Sequence, residues 1–414
     1  MNIEPYLKYM AKQGASDLFL TTGAAPSIKL EGELKPISDT KLLPGITREI
    51  AYTLMSSEQV ETFERELEMN LGMSIPEVGR YRINIYMQRG EVSLVIRYIN
   101  SKIPTVEELN LPPILKKMVM HKTGLVLLVG ATGTGKSTSL AAMVDFRNRT
   151  KSGHIITVED PIEFTYSHDK SIVGQREVGI DTLSYDNALR EAMREAPDVI
   201  LIGEIRDRKT MQAALQFADT GHLVLSSLHA VNANQALDRI INFFPPEARN
   251  NILMDLSLNL RGIVSQRLVM GRDQKRIPAV EVLLNTPYIS ELIHRGEVGE
   301  IKEVMEKSGT SGMQTFDASL YDLYKSKKIA LEDALSHADS RSNLEWRINF
   351  GGTPEDTLQQ VKPVDLETLE SSDALAQTQE NEVLVKPEQD LPDGSKPGDI
   401  LDDLESFSNS RLGK

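Results

Sequence analysis

Cysteine is absent from all 414 residues, which removes several chemistries at once. A disulfide framework, a thiol nucleophile and a cysteine-bound zinc or iron–sulfur centre are all excluded. Long apolar runs are missing too. None approaches the ~18 residues of a bilayer-spanning helix, and the most apolar stretches, Leu125–Val129 and Val199–Ile202, have strand length. The first twenty residues include Glu4 and Asp17 and lack the basic start and apolar middle of a signal peptide. The expectation is a soluble, intracellular protein. A basic excess is also lacking: 46 Lys and Arg face 60 Asp and Glu, a formal net charge of −14. The acidity is concentrated, with 15 acids and 5 bases from Thr353 onward against 45 and 41 before it. The body therefore lacks the strong basic excess of a non-specific DNA binder, and no nucleic-acid partner is expected.

What is present is an ordinary globular balance, 40% hydrophobic and 26% charged, in a chain long enough for two or three domains. Residues 1–100 read as a mixed α+β unit. A helix at Ile3–Lys12 precedes strand-like runs at Asp17–Leu20, Ser27–Leu30, Gly79–Met87 and Glu91–Tyr98, with turns at Glu31–Gly32 and Arg89–Gly90. The proline-bearing stretch 101–117 reads as a linker. From 118 to 350 the texture is α/β. The apolar strands Leu125–Val129, Ile155–Val158, Val199–Ile202 and Leu223–Leu228 are separated by amphipathic stretches, the pattern of a parallel sheet covered on both faces. Residues 246–345 read as mainly helical, with a short strand near Ala279–Leu284. The acidic segment 351–414 has too little apolar surface to offset its ordering entropy and is expected to be disordered. Near its end Ile400, Leu401, Leu404 and Phe407 have the spacing of a short helix.

Leu125–Val129 runs directly into Gly130-Ala131-Thr132-Gly133-Thr134-Gly135-Lys136-Ser137-Thr138, and a helical stretch follows. This is G-x-x-x-x-G-K-[ST] in a strand–loop–helix setting. Glycines let backbone N–H groups converge on phosphate oxygens, at a helix N-terminus that favours negative charge. Lys136 adds a positive point charge at the β- and γ-phosphates, and the Ser137 hydroxyl is suited to Mg²⁺. ATP and Mg²⁺ are the expected cofactors.

Ligands in parallel sheets sit beyond the carboxyl ends of the strands. Two such ends are acidic: Glu159-Asp160-Pro161-Ile162-Glu163 and Gly203-Glu204-Ile205-Arg206-Asp207. Nucleotide hydrolysis needs one carboxylate to organise Mg²⁺ and its water and another to orient the attacking water. His222 and His229 bracket the strand Leu223–Leu228. Each is read either as a hydrogen-bonded structural residue or as a sensor of the γ-phosphate.

The phosphate loop, the acidic box ITVEDPIEF (156–164), the strand DVILIGEIRD (198–207) and the histidine box TGHLVLSSLHA (220–230) follow in that order. With AKQGASDLFL (11–20), RYRINIYMQRG (80–90) and GMQTFDASL (312–320), they make the chain resemble the type IV pilus retraction ATPases, the PilT/PilU branch of the secretion ATPases. The resemblance spans roughly residues 1–350. It implies a homo-hexameric ring of two-lobed subunits, a PAS-like N-terminal lobe and a RecA-like ATPase lobe, with ATP between the lobes. Carried over by motif, Lys136 and Ser137 bind phosphate and Mg²⁺, and Glu204 organises Mg²⁺, partly through water. Glu163 is then the base for the attacking water, and His222 and His229 couple the γ-phosphate to strand movement. Arg82 and Arg97, with Arg80 less favoured, are the implied arginines that reach a nucleotide. The zinc-binding tetra-cysteine insertion of many pilus-extension ATPases has no counterpart here.

One block departs from the PilT pattern. Where PilT-type motors carry a sequence like AIRNLIRE, the chain has Ile289-Ser290-Glu291-Leu292-Ile293-His294-Arg295, and the resemblance leans to the PilU subgroup. Ser290 and Arg295 are expected on the exposed side of a helix that buries Ile289, Leu292 and Ile293, and Ser290 and His294 stand where the PilT pattern has arginines. The implied function is an accessory ATP-hydrolysing motor of pilus retraction and twitching motility. Its implied partners are a companion PilT-like ATPase and the inner-membrane pilus platform protein, at the cytoplasmic side of the pilus base. The alternative weighed is an accessory interaction protein that strengthens a companion ring without catalysis of its own.

Overall fold

The computed structural model describes residues 3–30, 32–76, 78–99, 102–307 and 312–351. The expectations for the acidic segment concern residues that, Gly351 apart, lie outside this set.

The N-terminal part is built on an antiparallel sheet of six strands: β1 (Asp17–Thr21), β2 (Ser27–Leu30), β3 (Glu33–Pro36), β4 (Glu68–Ile75), β5 (Gly79–Gln88) and β6 (Glu91–Ile99). Their order in space is β3-β2-β1-β6-β5-β4. Strict alternation sets the faces. In β5, Tyr81, Ile83 and Ile85 are fully buried, whereas Arg80, Arg82 and Asn84 point the other way. The buried face packs on the helices Glu4–Gln13 and Ile46–Leu54, which contribute Leu7, Met10 and Ile50. The Tyr81 hydroxyl donates to the Leu7 carbonyl at 2.9 Å, and burial pushes its pKa up to about 12. The β5–β6 turn has Arg89 and Gly90 at φ 51° and 79°, the two consecutive left-handed residues of a type I′ hairpin. β3 and β4, and the helices Ile46–Leu54 and Ser57–Glu66, complete the unit.

The second sheet has seven strands: β7 (Gly124–Val129), β8 (Gly153–Glu159), β9 (Ser171–Glu177), β10 (Val199–Ile202), β11 (Leu223–Leu228), β12 (Leu260–Met270) and β13 (Arg276–Leu284). Their order is β13-β12-β7-β11-β10-β8-β9, parallel throughout except for the β12–β13 hairpin. This is the α/β class read from the sequence. Every residue of β7 and β11 is buried, because helices cover both faces. Leu125, Leu127 and Val129 join one apolar cluster, and Val126 and Leu128 join the other. Val106, Leu111 and Leu115, from the stretch read as a linker, are buried in that second cluster, and a short helix, Ile114–Val119, already begins there.

The C-terminal third is where structure and expectation differ most. Residues 260–270 are not helical but form β12, the longest strand of the second sheet, and its partner β13 starts three residues before the expected strand. The reason is tertiary: β12 lies between β7 and β13 and satisfies its backbone on both sides. Helices then follow as expected, and Phe316, Leu320, Ala334 and Leu344 cover the far end of the hairpin. In the helix Pro287–Arg295, Ile289, Leu292 and Ile293 are buried and His294 is exposed. Ser290 departs from its expected exposure: it is half-buried and donates to the Ser257 carbonyl at 2.7 Å. A small hydroxyl fits a helix–helix contact that an extended charged side chain would leave for solvent.

Candidate active site at the ends of the parallel strands

The loop Gly130–Gly135 leaves the carboxyl end of β7 and enters the helix Lys136–Thr150. Its glycines are demanded by close approach. A Cβ on Gly130 would stand 2.5 Å from Thr134 Oγ1 and 2.6 Å from the Gln266 carbonyl oxygen. Gly135 has φ +86°, a conformation few side chains tolerate, and caps the helix. The Thr134 hydroxyl closes the loop on the Ala131 carbonyl at 2.9 Å. Lys136 Nζ donates to the carbonyls of Gly130 and Ala131, both at 2.9 Å, and is 8% exposed. Burial pulls its pKa below the usual lysine value, against the opposing pull of Glu204 and Glu163.

The loop forms one wall of a cleft of about 450 Å³, which is within the size range of small-ligand sites. Thr132, Gly133, Gly135, Lys136, Ser137 and Thr138 line it, and so do Glu163, Glu204 and His229 from the ends of neighbouring strands. Ser137 Oγ donates to Glu163 Oε1 at 2.9 Å. Glu204 is clamped: Arg206 Nε donates to one carboxylate oxygen at 2.7 Å, and His229 Nε2 lies 2.9 Å from the other. Arg206 also lies 3.6 Å from Asp160. Hydroxyls tie the strand ends together, with Ser226 and Ser227 donating to the carbonyls of Ile202 and Gly203 at 2.7 and 2.6 Å.

Other residues singled out in the sequence lie elsewhere. His222 precedes β11, where Leu223 pairs with Gly124 at the start of β7, the opposite edge from the phosphate loop. Seven residue steps at ~3.3 Å each put about 23 Å between His222 and His229. Its ring packs edge-on against Phe217, with Nδ1 3.1 Å from the Phe217 carbonyl oxygen. Arg97 stays within the first sheet, donating to Asp17 at 2.8 Å. Arg82 and Arg80 face the second sheet but not the cleft. They stand 3.8 and 3.7 Å from the carboxylate of Glu177 at the end of β9. Glu177 is 1% exposed, and burial raises its pKa against the two guanidiniums.

Two residues given no individual role from the sequence gain one in three dimensions. Glu159 lines the cleft, and burial pushes its pKa up to about 7 despite hydrogen bonds from Thr157 at 2.7 Å and Gln175 at 3.3 Å. Gln266 of β12 is 3% exposed and donates to the Thr134 carbonyl at 2.7 Å while accepting from Ser139 Oγ at 2.8 Å.

A divalent ion is tested by the donors on offer. Ser137, Glu163 and Glu204 present hard oxygen ligands on one wall of the cleft. Among the described residues there is no cluster of three or more His, Cys, Asp or Glu side chains able to cage a metal alone. That set fits Mg²⁺, which keeps its waters and is bound by one or two protein oxygens together with substrate phosphates.

The family model for "Type II/IV secretion system protein" matches residues 2–316. The chain belongs to this family. It is 51% identical over 352 residues to the type IV pilus ATPase PilU of Pseudomonas aeruginosa, covering 85% of this chain and 92% of that protein. It is 40% identical over 343 residues to the type IV pilus retraction ATPase PilT of the same organism, covering 83% and 100%. Among solved structures, the pilus retraction motor PilT with bound ADP superposes with a TM-score of 0.77 at 40% identity, covering 83% of this chain and 99% of that one. Among the described residues no helix is long and apolar enough to cross a membrane.

Proposed function

We propose that the chain is an ATP-hydrolysing motor of type IV pilus retraction and twitching motility, accessory to a companion PilT-like ATPase. The observation that carries this is the convergence of Lys136, Ser137, Glu163, Glu204 and His229 on one cleft beside a Gly-rich phosphate loop. In this reading the loop N–H groups of Gly133–Ser137 cradle the phosphates. Lys136 exchanges its two carbonyl partners for phosphate oxygens, a charge-assisted contact worth more than the neutral ones it leaves. Glu163 orients the attacking water and accepts its proton, and Ser137 and Glu204 would hold Mg²⁺, Glu204 partly through water. When bound, the ion would supply positive charge against the negative charge of the phosphates. Arg206 and His229 keep Glu204 aimed, so little reorganisation is needed during the reaction.

The further parts of the reading are a PAS-like lobe at 1–100 and an ATPase lobe at 118–350, assembled as a homo-hexamer. The ring works on the inner-membrane platform protein from the cytoplasmic side of the pilus base. Two separate sheets, and the likeness to PilU and PilT over most of their lengths, support it. Arg82, beside Glu177, and Arg97, exposed and paired with Asp17, are the arginines proposed to reach a nucleotide. His222, at the opposite edge of β11 from the phosphate loop, would act on the γ-phosphate only through that strand.

The test is steady-state phosphate release by the purified chain, alone and with a companion ring. The unaltered chain is expected to turn over ATP, with Lys136→Ala and Glu204→Ala each reduced at least ~100-fold, the scale of losing one aligned charge or donor. Turnover by Lys136→Ala at the unaltered rate would remove the active-site reading.

A further inference from the structure

A peptide group is planar and trans, so its C=O and N–H point in opposite directions. Pinning the carbonyl of one residue therefore aims the N–H of the next. The Thr134 carbonyl is pinned by Gln266 Nε2 at 2.7 Å, on the side of β12. The Gly135 N–H of the same peptide is thereby turned away from β12, and Gly135 lines the cleft. Glycine at 135 leaves that peptide little resistance of its own to flipping, since it tolerates either sign of φ. Gln266 is in turn held. Ser139 Oγ, one turn into the helix, donates to its Oε1 at 2.8 Å, which fixes which end of the amide faces Thr134. The side chain is buried, and its position is set by strand register: Ser265 pairs with Val129, so Gln266 stands level with the first residue of the loop. The packing is close enough that a Cβ on Gly135 would lie 2.9 Å from Gln266 Nε2.

We infer that Gln266 is a positioning residue for nucleotide phosphate, holding the Thr134–Gly135 peptide in the orientation that presents the Gly135 N–H to the ligand. It touches no phosphate itself. It acts through one loop carbonyl, and it places part of the phosphate site under the control of β12. The inference rests on the reading of the cleft as a nucleotide site, and it names a residue that neither the phosphate-loop motif nor the acidic strand ends contain.

The test compares Gln266→Leu with Gln266→Glu, using ADP as the probe and calorimetric binding from pH 6 to 8.5. Leucine keeps much of the volume and removes both hydrogen bonds. A glutamic acid that is protonated can still donate to the Thr134 carbonyl and accept from Ser139, whereas the carboxylate can only accept. Losing one buried hydrogen bond that orders the loop is expected to weaken ADP binding by roughly tenfold in Gln266→Leu at every pH. Gln266→Glu should bind within about threefold of the unaltered chain at pH 6 and approach the leucine variant by pH 8.5. A residue that merely fills space would give no such recovery. Gln266→Leu binding ADP like the unaltered chain would overturn the inference. So would Gln266→Glu remaining as weak as leucine at pH 6, or running parallel to the unaltered chain across the range. Melting curves of the ligand-free variants guard against loss of fold, and the pH recovery is read within a single variant. Absence of ADP binding by the unaltered chain would instead remove the nucleotide reading itself.

Discussion

Glu159 is a carboxyl group whose burial makes a measurable prediction. Its pKa is raised from 4.5 to about 7, chiefly by desolvation, with Glu163 adding to the rise and hydrogen bonds from Thr157 and Gln175 opposing it. A raised acid favours the folded state while protonated, so its contribution is fully present below pH 4.5 and is lost as pH rises through 7. The displacement corresponds to about 3 kcal/mol, at 1.36 kcal/mol per unit. Glu159→Gln removes the titration but leaves an amide oxygen to accept from Thr157 Oγ1 and Gln175 Nε2. The variant is therefore expected to gain on the unaltered chain between pH 5 and 8 by about 3 kcal/mol. With an unfolding entropy near 2.1 cal/mol/K per residue over roughly 350 residues, that is a relative rise in Tm of about 4 °C. The second amide hydrogen pair introduced by glutamine shifts both ends of the range alike and leaves the slope intact. Thermal denaturation of both proteins at four pH values across that range measures it. A Tm difference constant within 1 °C would refute the placement of Glu159 in a desolvated, proton-holding environment. The proton matters for the cleft as well, because a neutral Glu159 spares incoming phosphates one of the four carboxylates, with Asp160, Glu163 and Glu204, that line it.

Further outcomes follow from neighbouring contacts. Gly130→Ala should lose ADP binding and at least ~2 kcal/mol of stability, because its methyl group meets the Gln266 carbonyl, and backbone cannot step aside as a side-chain tip can; a denaturant titration with no change in midpoint would refute it. Glu177→Ala should cost about 2 kcal/mol, below the usual 3–5 for a broken buried pair because Arg80 and Arg82 retain partial solvent access. Unfolding midpoints at low salt check this, and a change under 0.5 kcal/mol would mean the two guanidiniums do not depend on that carboxylate. Ser137→Ala should raise the Mg²⁺ concentration needed for half-maximal turnover at least several-fold, read from a metal titration at saturating ATP, with the melting temperature unchanged.

Much of the fold was legible where one-dimensional pattern and burial coincide. Val199–Ile202 and Leu223–Leu228 were read to the residue because a central parallel strand is apolar throughout and needs no alternation to betray it. β9 and β12 escaped for the opposite reason. β9, at the sheet edge, carries Gly174, Gln175 and Arg176 in its middle, and β12 buries Ser265 and Gln266 beside Arg267. Polar residues inside a sheet are tolerated only when partners satisfy them, and those partners, Glu281 for Ser265 and Thr134 for Gln266, lie 16 and 132 positions away. The arginines show the same limit. RYRINIY displays Arg80 and Arg82 on one face by alternation, but only the assembled sheets bring them to Glu177 and leave Arg97 paired with Asp17.

The candidate site divides along the same line. A phosphate loop is legible because its chemistry is local: glycines, a lysine and a hydroxyl within nine residues form one wall whatever else the chain does. The acids and His229 were legible as strand-end residues, since in a parallel sheet every carboxyl end faces the same edge. His222 and His229 bracket β11 as the sequence reading has them, and the same rule puts His222, which precedes the strand, at the other edge from His229. What no local pattern contains is the support of the loop from outside. Gln266 reaches Thr134 because β12 adds to β7 in parallel, with an irregularity between Leu260 and Gly262 that shifts its register. That shift decides which side chain stands beside the loop. A register one residue different would turn Gln266 to the other face of the sheet and leave the Thr134 carbonyl without its donor, so the geometry of the phosphate wall depends on a strand pairing that begins more than a hundred residues away.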